Sequence, residues 1–287
     1  MRSFIILILG GCMVCSSGAH GAPINELVTQ AMQGDHRDPA NVERDRYRHP
    51  LQTLRFLGLR SDMTAVEIWP GEGWYTEILA PVMRPEGIYY AAGFAMTASR
   101  TPQWREDMQI AYMNKLGKQP DVYDHVVSTE LSYPERTTIA PPGTADIVLT
   151  FRNVHNWMQG HYAPGMFRAF YRALKPGGIL GLVEHRAKPG ATMKTMIESG
   201  YVTERHIIDL ARQAGFELEA KSEINANPED TKDYPEGVWT LPPTLRLCAE
   251  MDEGPDQKRC DRKYRAIGES DRMTLRFRKP VTSTTAK

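Results

Sequence analysis

The sequence has no excess of charge of either sign, because 35 Lys and Arg residues balance 35 Asp and Glu residues. Nucleic-acid phosphates and anionic membranes are bound by net basic surfaces, so we expect no nucleic-acid partner. Internal repeats and low-complexity segments are also lacking. With 287 residues, 41% of them hydrophobic, the chain is long enough for one large or two small domains with a buried core.

No hydrophobic run is long enough to form a stable membrane span, which takes about 20 residues. The run from Phe4 to Cys15 is roughly 12 residues long, follows Arg2 and precedes small residues up to Ala22. This pattern is typical of a secretory signal peptide. We expect residues 1–21 to be removed and the mature protein to be periplasmic or secreted. Lipid anchoring at Cys12 is less favoured, because the apolar core before it would be very short.

Cysteine is scarce, and only Cys248 and Cys260 lie beyond the signal peptide. In an oxidising compartment, two cysteines close in sequence indicate a disulfide. Two unrelated thiols are the alternative. A metal site at these cysteines is disfavoured, because no neighbouring His or Cys supplies the other ligands.

Short apolar strands alternate with helices along most of the chain. A helix and a charged linker are predicted in residues 22–45, and a domain follows over residues 46–280, with a Pro-, Asp- and Asn-rich insertion at about 224–271. Residues 281–287 are expected to be a disordered tail. The alternation indicates an α/β fold with a mostly parallel sheet and helices on both faces. Strands are predicted at 65–69, 87–92, 126–128, 146–151, 179–184, 217–223 and 273–277, and helices near 51–58, 74–80, 167–174 and 203–214.

The turn Glu67-Ile68-Trp69-Pro70-Gly71-Glu72-Gly73 joins the first strand to a helix. Its glycines let the backbone approach a ligand, and the helix N-terminus offers free N–H groups. A dinucleotide fingerprint would need a third glycine, and its absence disfavours a nicotinamide-dependent oxidoreductase.

Four segments resemble, in order, the motifs of class I S-adenosylmethionine-dependent methyltransferases: 63–73, 145–149, 173–180 and 214–216. The resemblance implies a Rossmann-like fold with a seven-stranded sheet, S-adenosylmethionine as cofactor, and methyl transfer. On this basis we assign cofactor binding to Glu67, Pro70, Gly71, Gly73 and Asn153.

A closer resemblance is to a family of predicted, exported bacterial methyltransferases. It rests on segments 70–77, 151–157, 183–186 and 222–228. It implies a methyltransferase outside the cytoplasm that acts on an unknown acceptor, which we expect to be a small molecule.

Two positions depart from the motifs. Trp69 stands where the first glycine is usual, and Ala92-Gly93-Phe94 stands where an acid usually binds the cofactor ribose. These departures favour a second hypothesis, an exported binding protein that keeps the fold without using S-adenosylmethionine.

Polar side chains follow the fourth and fifth strands, where ligands bind in parallel sheets. We expect His155, His185 and Glu184 to be catalytic, with a histidine as base because its pKa lies near neutrality. Structural histidines are the alternative. A metal site from these three is not expected, because their spacing does not support one. The insertion is predicted to be either a polar lid or a solvated loop. Substrate binding is assigned to Trp74, Tyr75, Arg152, Asn156, Arg186, Asn225 and Asn227.

Overall fold

The computed structural model describes residues 23–96 and 101–281. The signal peptide expected at 1–21 and the tail residues 282–287 lie outside the described residues. In the described part, one sheet contains β1 (Thr64–Ile68), β2 (Ile88–Gly93), β3 (Val126–Glu130), β4 (Ala145–Phe151), β5 (Leu174–His185), β6 (Glu217–Ser222) and β7 (Arg272–Arg278).

The strand order is β3-β2-β1-β4-β5-β7-β6. β7 runs antiparallel to both of its neighbours, and the other pairings are parallel. This confirms the expected α/β fold, a seven-stranded and mostly parallel sheet of the class I methyltransferase type. The order reverses between β1 and β4, and the carboxyl ends of the strands at such a point form a natural ligand crevice.

The helices are short apart from α6 and α13. They are α1 (Ile24–Met32), α2 (Pro39–Val42), α3 (Asp45–Arg48), α4 (Pro50–Leu57), α5 (Thr76–Met83), α6 (Gln103–Lys118), α7 (Pro120–Tyr123), α8 (Val154–Gln159), α9 (Ala163–Ala173), α10 (Met193–Ser199), α11 (Glu204–Gln213), α12 (Arg246–Ala249) and α13 (Pro255–Ile267). None of the described helices is long and apolar enough to cross a membrane.

Side chains of the central strands alternate between two buried layers. In β4, Val148 packs in the layer with α9 and α11, whereas Ile147 and Leu149 pack in the layer with α1, α4 and α5. Strand side chains point alternately to opposite faces, so a continuous apolar strand buries both. Helices therefore cover both faces of the sheet, as predicted.

The helix predicted at 74–80 was expected to end before Pro81, but α5 continues through Pro81 to Met83. Proline has no N–H to donate to the carbonyl four residues earlier. That carbonyl, on Glu77, instead accepts a hydrogen bond of 2.6 Å from Nε2 of His36. A side chain from the N-terminal segment thus satisfies the group that proline leaves free.

The insertion contains two helices, α12 and α13, in addition to a 3-10 helix (Gly237–Thr240). A disulfide between Cys248 and Cys260 joins α12 to α13, which confirms the predicted pairing. Tyr264 is the buried residue of α13. A helix with so little apolar surface leaves almost no periodic pattern in the sequence.

Candidate active site

A cavity of about 330 Å³ opens at the carboxyl ends of β1, β4 and β5. Many of the assigned residues line it: Glu67, Pro70, Gly71, Trp74, Tyr75, Arg152, Asn153, His155, Asn156 and His185. Small-molecule sites are concave and measure roughly 300–1,000 Å³. The cavity is therefore of the size that a small ligand needs.

Gly71 is the glycine of the turn that faces this cavity. Its φ is +61°, a left-handed conformation, and a Cβ built there would meet only Met108 at 3.6 Å. At Gly73, with φ +84°, a Cβ would lie 3.2 Å from the Tyr112 ring. Gly73 therefore faces the core, and its role is to allow the backbone turn, which needs a positive φ.

Trp69 lines the cavity, and its side chain is held by packing and a hydrogen bond. Its indole is buried, Nε1 donates to the Leu131 carbonyl at 3.0 Å, and the ring packs 4.7 Å from that of Phe94. The Arg105 guanidinium lies 4.5 Å above the indole. The side chain that replaces the usual glycine thus packs sideways, although φ of +46° at a bulky residue is strained.

Glu67 is buried beside the turn. Thr76 Oγ1 donates to its carboxylate at 3.1 Å, and the Tyr89 hydroxyl donates to the same oxygen. Burial raises the pKa of Glu67 to about 7, although both hydrogen bonds act against the rise. Asn153 Nδ2 donates to the Ile68 carbonyl at 2.9 Å. This bond holds the ends of β1 and β4 together at the crevice.

Glu184 and His155 form a hydrogen-bonded pair. The Glu184 carboxylate is buried and accepts from the backbone N–H groups of Val154 at 2.6 Å and His185 at 2.9 Å, and from Nδ1 of His155 at 3.0 Å. Because an ionised carboxylate only accepts, Nδ1 of His155 carries the proton. When the ring is neutral, Nε2 holds the lone pair and is the ring atom that can accept a proton.

His185 lies beside this pair, with its ring centroid 5.2 Å from that of His155. Its Nδ1 is 2.5 Å from the Ser270 hydroxyl. Burial, together with the nearby His155 and Arg152, holds the pKa of His185 well below its ordinary value. His185 is therefore neutral and acts as a hydrogen-bonding group.

His155, Glu184 and His185 offer potential metal-ligand atoms within 4.8 Å of one another. The sequence analysis grouped these three residues after two neighbouring strands but did not expect metal-ligand geometry from their spacing, and the fold brings their ligand atoms together. The Glu184 carboxylate already accepts hydrogen bonds at both oxygens. That arrangement suits a carboxylate that orients His155.

Four assigned residues at the end of β5 and in the insertion do not line the cavity, namely Glu184, Arg186, Asn225 and Asn227. Arg186 pairs with Asp271 at 2.8 Å and with Glu223 and Glu204. Asn225 donates to Thr53 and Thr274, and Asn227 donates to backbone carbonyls at 267 and 269. These groups fasten the insertion to the body of the domain. The part of the insertion that reaches the cavity is instead Val238, Trp239, Pro242, Pro243 and Thr244.

Sequence reasoning missed several residues that line the cavity: Asn41, Arg44, Arg48, Trp104, Met108, Glu269 and Ser270. Arg44 comes from the segment interpreted as a linker, Arg48 from the start of the predicted domain, and Glu269 from the end of the insertion. Glu269 lies more than 200 residues after both arginines. No local sequence pattern connects Glu269 with them.

The cavity residues fit the cofactor that the fold family uses. Gly71 presents backbone where a Cβ would project toward open space, and Phe94, Trp104 and Met108 offer apolar surface. Glu67, Glu72 and Glu269 are the carboxylates in the described lining. Glu67 and Glu269 are engaged by neighbouring side chains, whereas Glu72 makes no side-chain hydrogen bond or ion pair with the described residues.

No family model and no curated protein matches this chain by sequence. Solved structures of the class I methyltransferase fold do match. A putative sarcosine dimethylglycine methyltransferase from Galdieria sulphuraria is 12% identical with a TM-score of 0.54, covering 85% of this chain and 88% of that one. Geranyl diphosphate C-methyltransferase from Streptomyces coelicolor A3(2) is 14% identical with a TM-score of 0.50, covering 88% and 87%.

The cyclase SpnF is also similar, at 17% identity with a TM-score of 0.55, covering 87% of this chain and 86% of SpnF. The chain thus shares its fold with S-adenosylmethionine-dependent methyltransferases and with a protein named as a cyclase. Such a fold supports more than one chemistry.

Proposed function

We propose that this protein is an S-adenosylmethionine-dependent methyltransferase that acts on a small-molecule acceptor outside the cytoplasm. One observation carries the proposal. The Gly71 turn and the base His155, held by Glu184, line the same cavity at the carboxyl ends of the central strands. A cofactor cradle and a base that share one cavity are what methyl transfer needs.

S-adenosylmethionine, when bound, supplies a methyl group on a sulfonium sulfur that is open to in-line displacement. Pro70, Gly71 and Asn153 line the side of the cavity that would hold it. His155 accepts the acceptor's proton at Nε2, while Glu184 keeps Nδ1 protonated and stabilises the imidazolium that forms. Trp74, Tyr75 and Asn156 form walls that orient the acceptor.

We assign the ribose hydroxyls to Glu72. The described residues after β2, Phe94 to Met96, contain no acid. Glu72 is the cavity carboxylate without a side-chain partner among the described residues. An ionised carboxylate accepts two hydroxyl hydrogen bonds readily.

Export rests on the sequence of residues 1–21. The Cys248–Cys260 disulfide supports it, because structural disulfides persist in oxidising compartments and are rare in the cytosol.

The binding-protein hypothesis remains the second candidate. The observation in its favour is Trp69, a bulky residue at a conformation that glycine adopts without strain. A methyltransferase-like cavity that no longer holds the cofactor would tolerate a bulky side chain such as Trp69 at this position.

Calorimetric titration of the mature protein with S-adenosylhomocysteine separates the two candidates. We expect the parent to bind and Gly71→Val to lose binding, because the new side chain projects into the cavity. Gly143→Val is the matched control. Gly143 is exposed, has φ of +72° and has no atom within 4 Å of a built Cβ.

Both substitutions impose a similar backbone strain, so only the loss of cavity space distinguishes them. If Gly71→Val binds as tightly as the parent, the cofactor does not lie at this turn. If the parent itself does not bind at millimolar ligand, the binding-protein candidate replaces the methyltransferase.

A further inference from the structure

Four arginine side chains surround one carboxylate at the cavity. Glu269 accepts from Arg44 Nε at 2.6 Å, from Arg48 Nε at 3.1 Å and from Arg272 Nη1 at 3.1 Å. Arg152 Nη1 lies 4.0 Å from the same carboxylate. Burial raises the pKa of Glu269, but the arginines outweigh burial and hold it well below its ordinary value. Four cations therefore face one ionised carboxylate.

Two of these guanidinium groups are incompletely paired. Arg48 is only 2% exposed, and its Nη2 has no hydrogen-bond partner in the described part of the chain. The Arg152 guanidinium makes no hydrogen bond with the described residues, and Glu269 at 4.0 Å is its ion pair. Both arginines line the cavity.

The remaining lining does not neutralise the excess charge. Of the other cavity carboxylates, Glu67 is held by Thr76 and Tyr89, and Glu72 forms no ion pair with these arginines in the described chain. Burial lowers the pKa of both Arg48 and Arg152, and the arginines lower one another's further. Buried charge that one carboxylate compensates only in part is costly, which favours an anion at this place.

We propose that Arg44, Arg48 and Arg152 form a subsite for a carboxylate or phosphate group of the ligand that occupies the cavity. Guanidinium groups present paired donors that match the oxygens of these anions. The proposal rests on the proposed function in that it treats the cavity as a ligand site, and it adds that a ligand there is anionic. Glu269 holds the side chains of Arg44 and Arg48 in place through hydrogen bonds.

The anionic group has two sources, the α-carboxylate of the cofactor or an acid group of the acceptor. The two share one chemistry, and binding measurements separate them. S-adenosylhomocysteine carries the α-carboxylate, whereas 5′-methylthioadenosine lacks it.

The first experiment measures the thermal unfolding of the mature protein in rising inorganic phosphate, with sodium chloride holding the ionic strength constant. We expect a saturable rise in melting temperature for the parent, because a ligand that binds only the folded state stabilises it. We expect Arg152→Gln and Arg48→Gln to weaken the apparent phosphate affinity at least tenfold. Arg60→Gln, an exposed arginine paired with Asp62, controls for the loss of one charge and leaves the affinity unchanged.

The melting temperature without phosphate tests whether the cluster is purely structural. If anion binding is the role of Arg152, its removal relieves excess charge, and Arg152→Gln melts no lower than the parent in the absence of phosphate. The Arg152→Gln variant loses no hydrogen bond to the described residues, so it folds and keeps the test valid. The proposal is wrong if phosphate does not raise the melting temperature of the parent. It is also wrong if phosphate raises the melting temperatures of the variants with the same apparent affinity as that of the parent.

The second experiment is calorimetry with the two nucleosides. A tenfold loss of S-adenosylhomocysteine affinity in Arg152→Gln, with 5′-methylthioadenosine unaffected, assigns the subsite to the cofactor's carboxylate. The alternative result is that the parent and Arg152→Gln bind S-adenosylhomocysteine equally well, and that the parent still binds phosphate when S-adenosylhomocysteine is bound. This result assigns the subsite to the acid group of the acceptor. Failure of both nucleosides to bind the parent removes the proposed function alone, because the phosphate response decides the subsite independently.

Discussion

At the scale of single residues, the two cavity histidines differ in their surroundings. His155 has a carboxylate partner in Glu184, whereas His185 has the Ser270 hydroxyl and faces Arg152 and other cations. Burial and nearby cations disfavour the imidazolium of His185, which is therefore a neutral hydrogen-bonding group. The role of base that we propose for His155 rests on its bond to Glu184.

The depressed pKa of His185 makes stability depend on pH. The unfolded chain takes up a proton at this residue below about pH 6.5, and the folded protein does not. The contribution of His185 is fully present above that pH and is lost as the pH falls toward the folded pKa, by up to about 1.4 kcal/mol per pH unit. We expect His185→Gln to flatten this part of the profile in urea unfolding between about pH 5 and pH 8.

His125→Gln provides the control, because His125 is an exposed histidine far from the cavity lining. Its profile is expected to follow the parent. Identical profiles for the parent and His185→Gln would show that folding does not lower the pKa of His185.

At the scale of elements, the insertion is a small unit with its own core. Leu241, Leu245, Cys248 and Tyr264 pack together, and the disulfide joins α12 to α13. The chain then leads from α13 directly to Glu269 and Ser270 at the cavity. Loss of order in this unit would displace groups that hold the arginines and His185.

We expect the double substitution Cys248→Ser and Cys260→Ser to lower the free energy of unfolding by about 3 kcal/mol, because a loop of this length no longer restricts the unfolded chain. Chemical denaturation measures the loss, and the reduced parent should match the variant. Thiol labelling of the unreduced, denatured parent should find no free cysteine. Two labelled thiols would contradict the disulfide.

The central strands β2, β4 and β5 were predictable because they carry apolar runs that are buried in the sheet. The helix α11 was predictable as well, and Thr203 caps it through a bond to the His206 N–H. In contrast, α13 buries little apolar surface and leaves no periodic pattern. The site residues that follow β1, β4 and β5 could be predicted because the carboxyl ends of parallel strands meet at one edge of a sheet. Arg48 and Glu269 were missed because charge pairs remote in sequence have no local signature.

At the scale of the whole molecule, the N-terminal segment is built into the domain. Arg37 pairs with Glu77, and Trp74 Nε1 donates to the Asn41 carbonyl at 2.9 Å. Arg44 and Arg48 continue these contacts to Glu269. The residues that follow the proposed cleavage point are therefore part of the fold and not a free linker.

Processing before Ala22 leaves this segment intact. We expect protein recovered from the periplasm of a Gram-negative host to begin near Ala22, as measured by intact mass. A charged residue in place of Ala19 should block processing, because signal cleavage needs small residues there. A soluble cytoplasmic product that retains Met1 in its native host would contradict export.

The meeting of Arg44 and Arg48 with Glu269 also fixes an order of events during synthesis. A chain leaves the ribosome from its N-terminus, and contacts between remote segments form only after both have emerged. Glu269 lies 221 residues after Arg48. The arginines therefore cannot pair with Glu269 until these 221 residues have been made. A nascent chain, or one truncated before Glu269, lacks Glu269 and Ser270 of the cavity lining, so ligand binding reports that synthesis has passed this point.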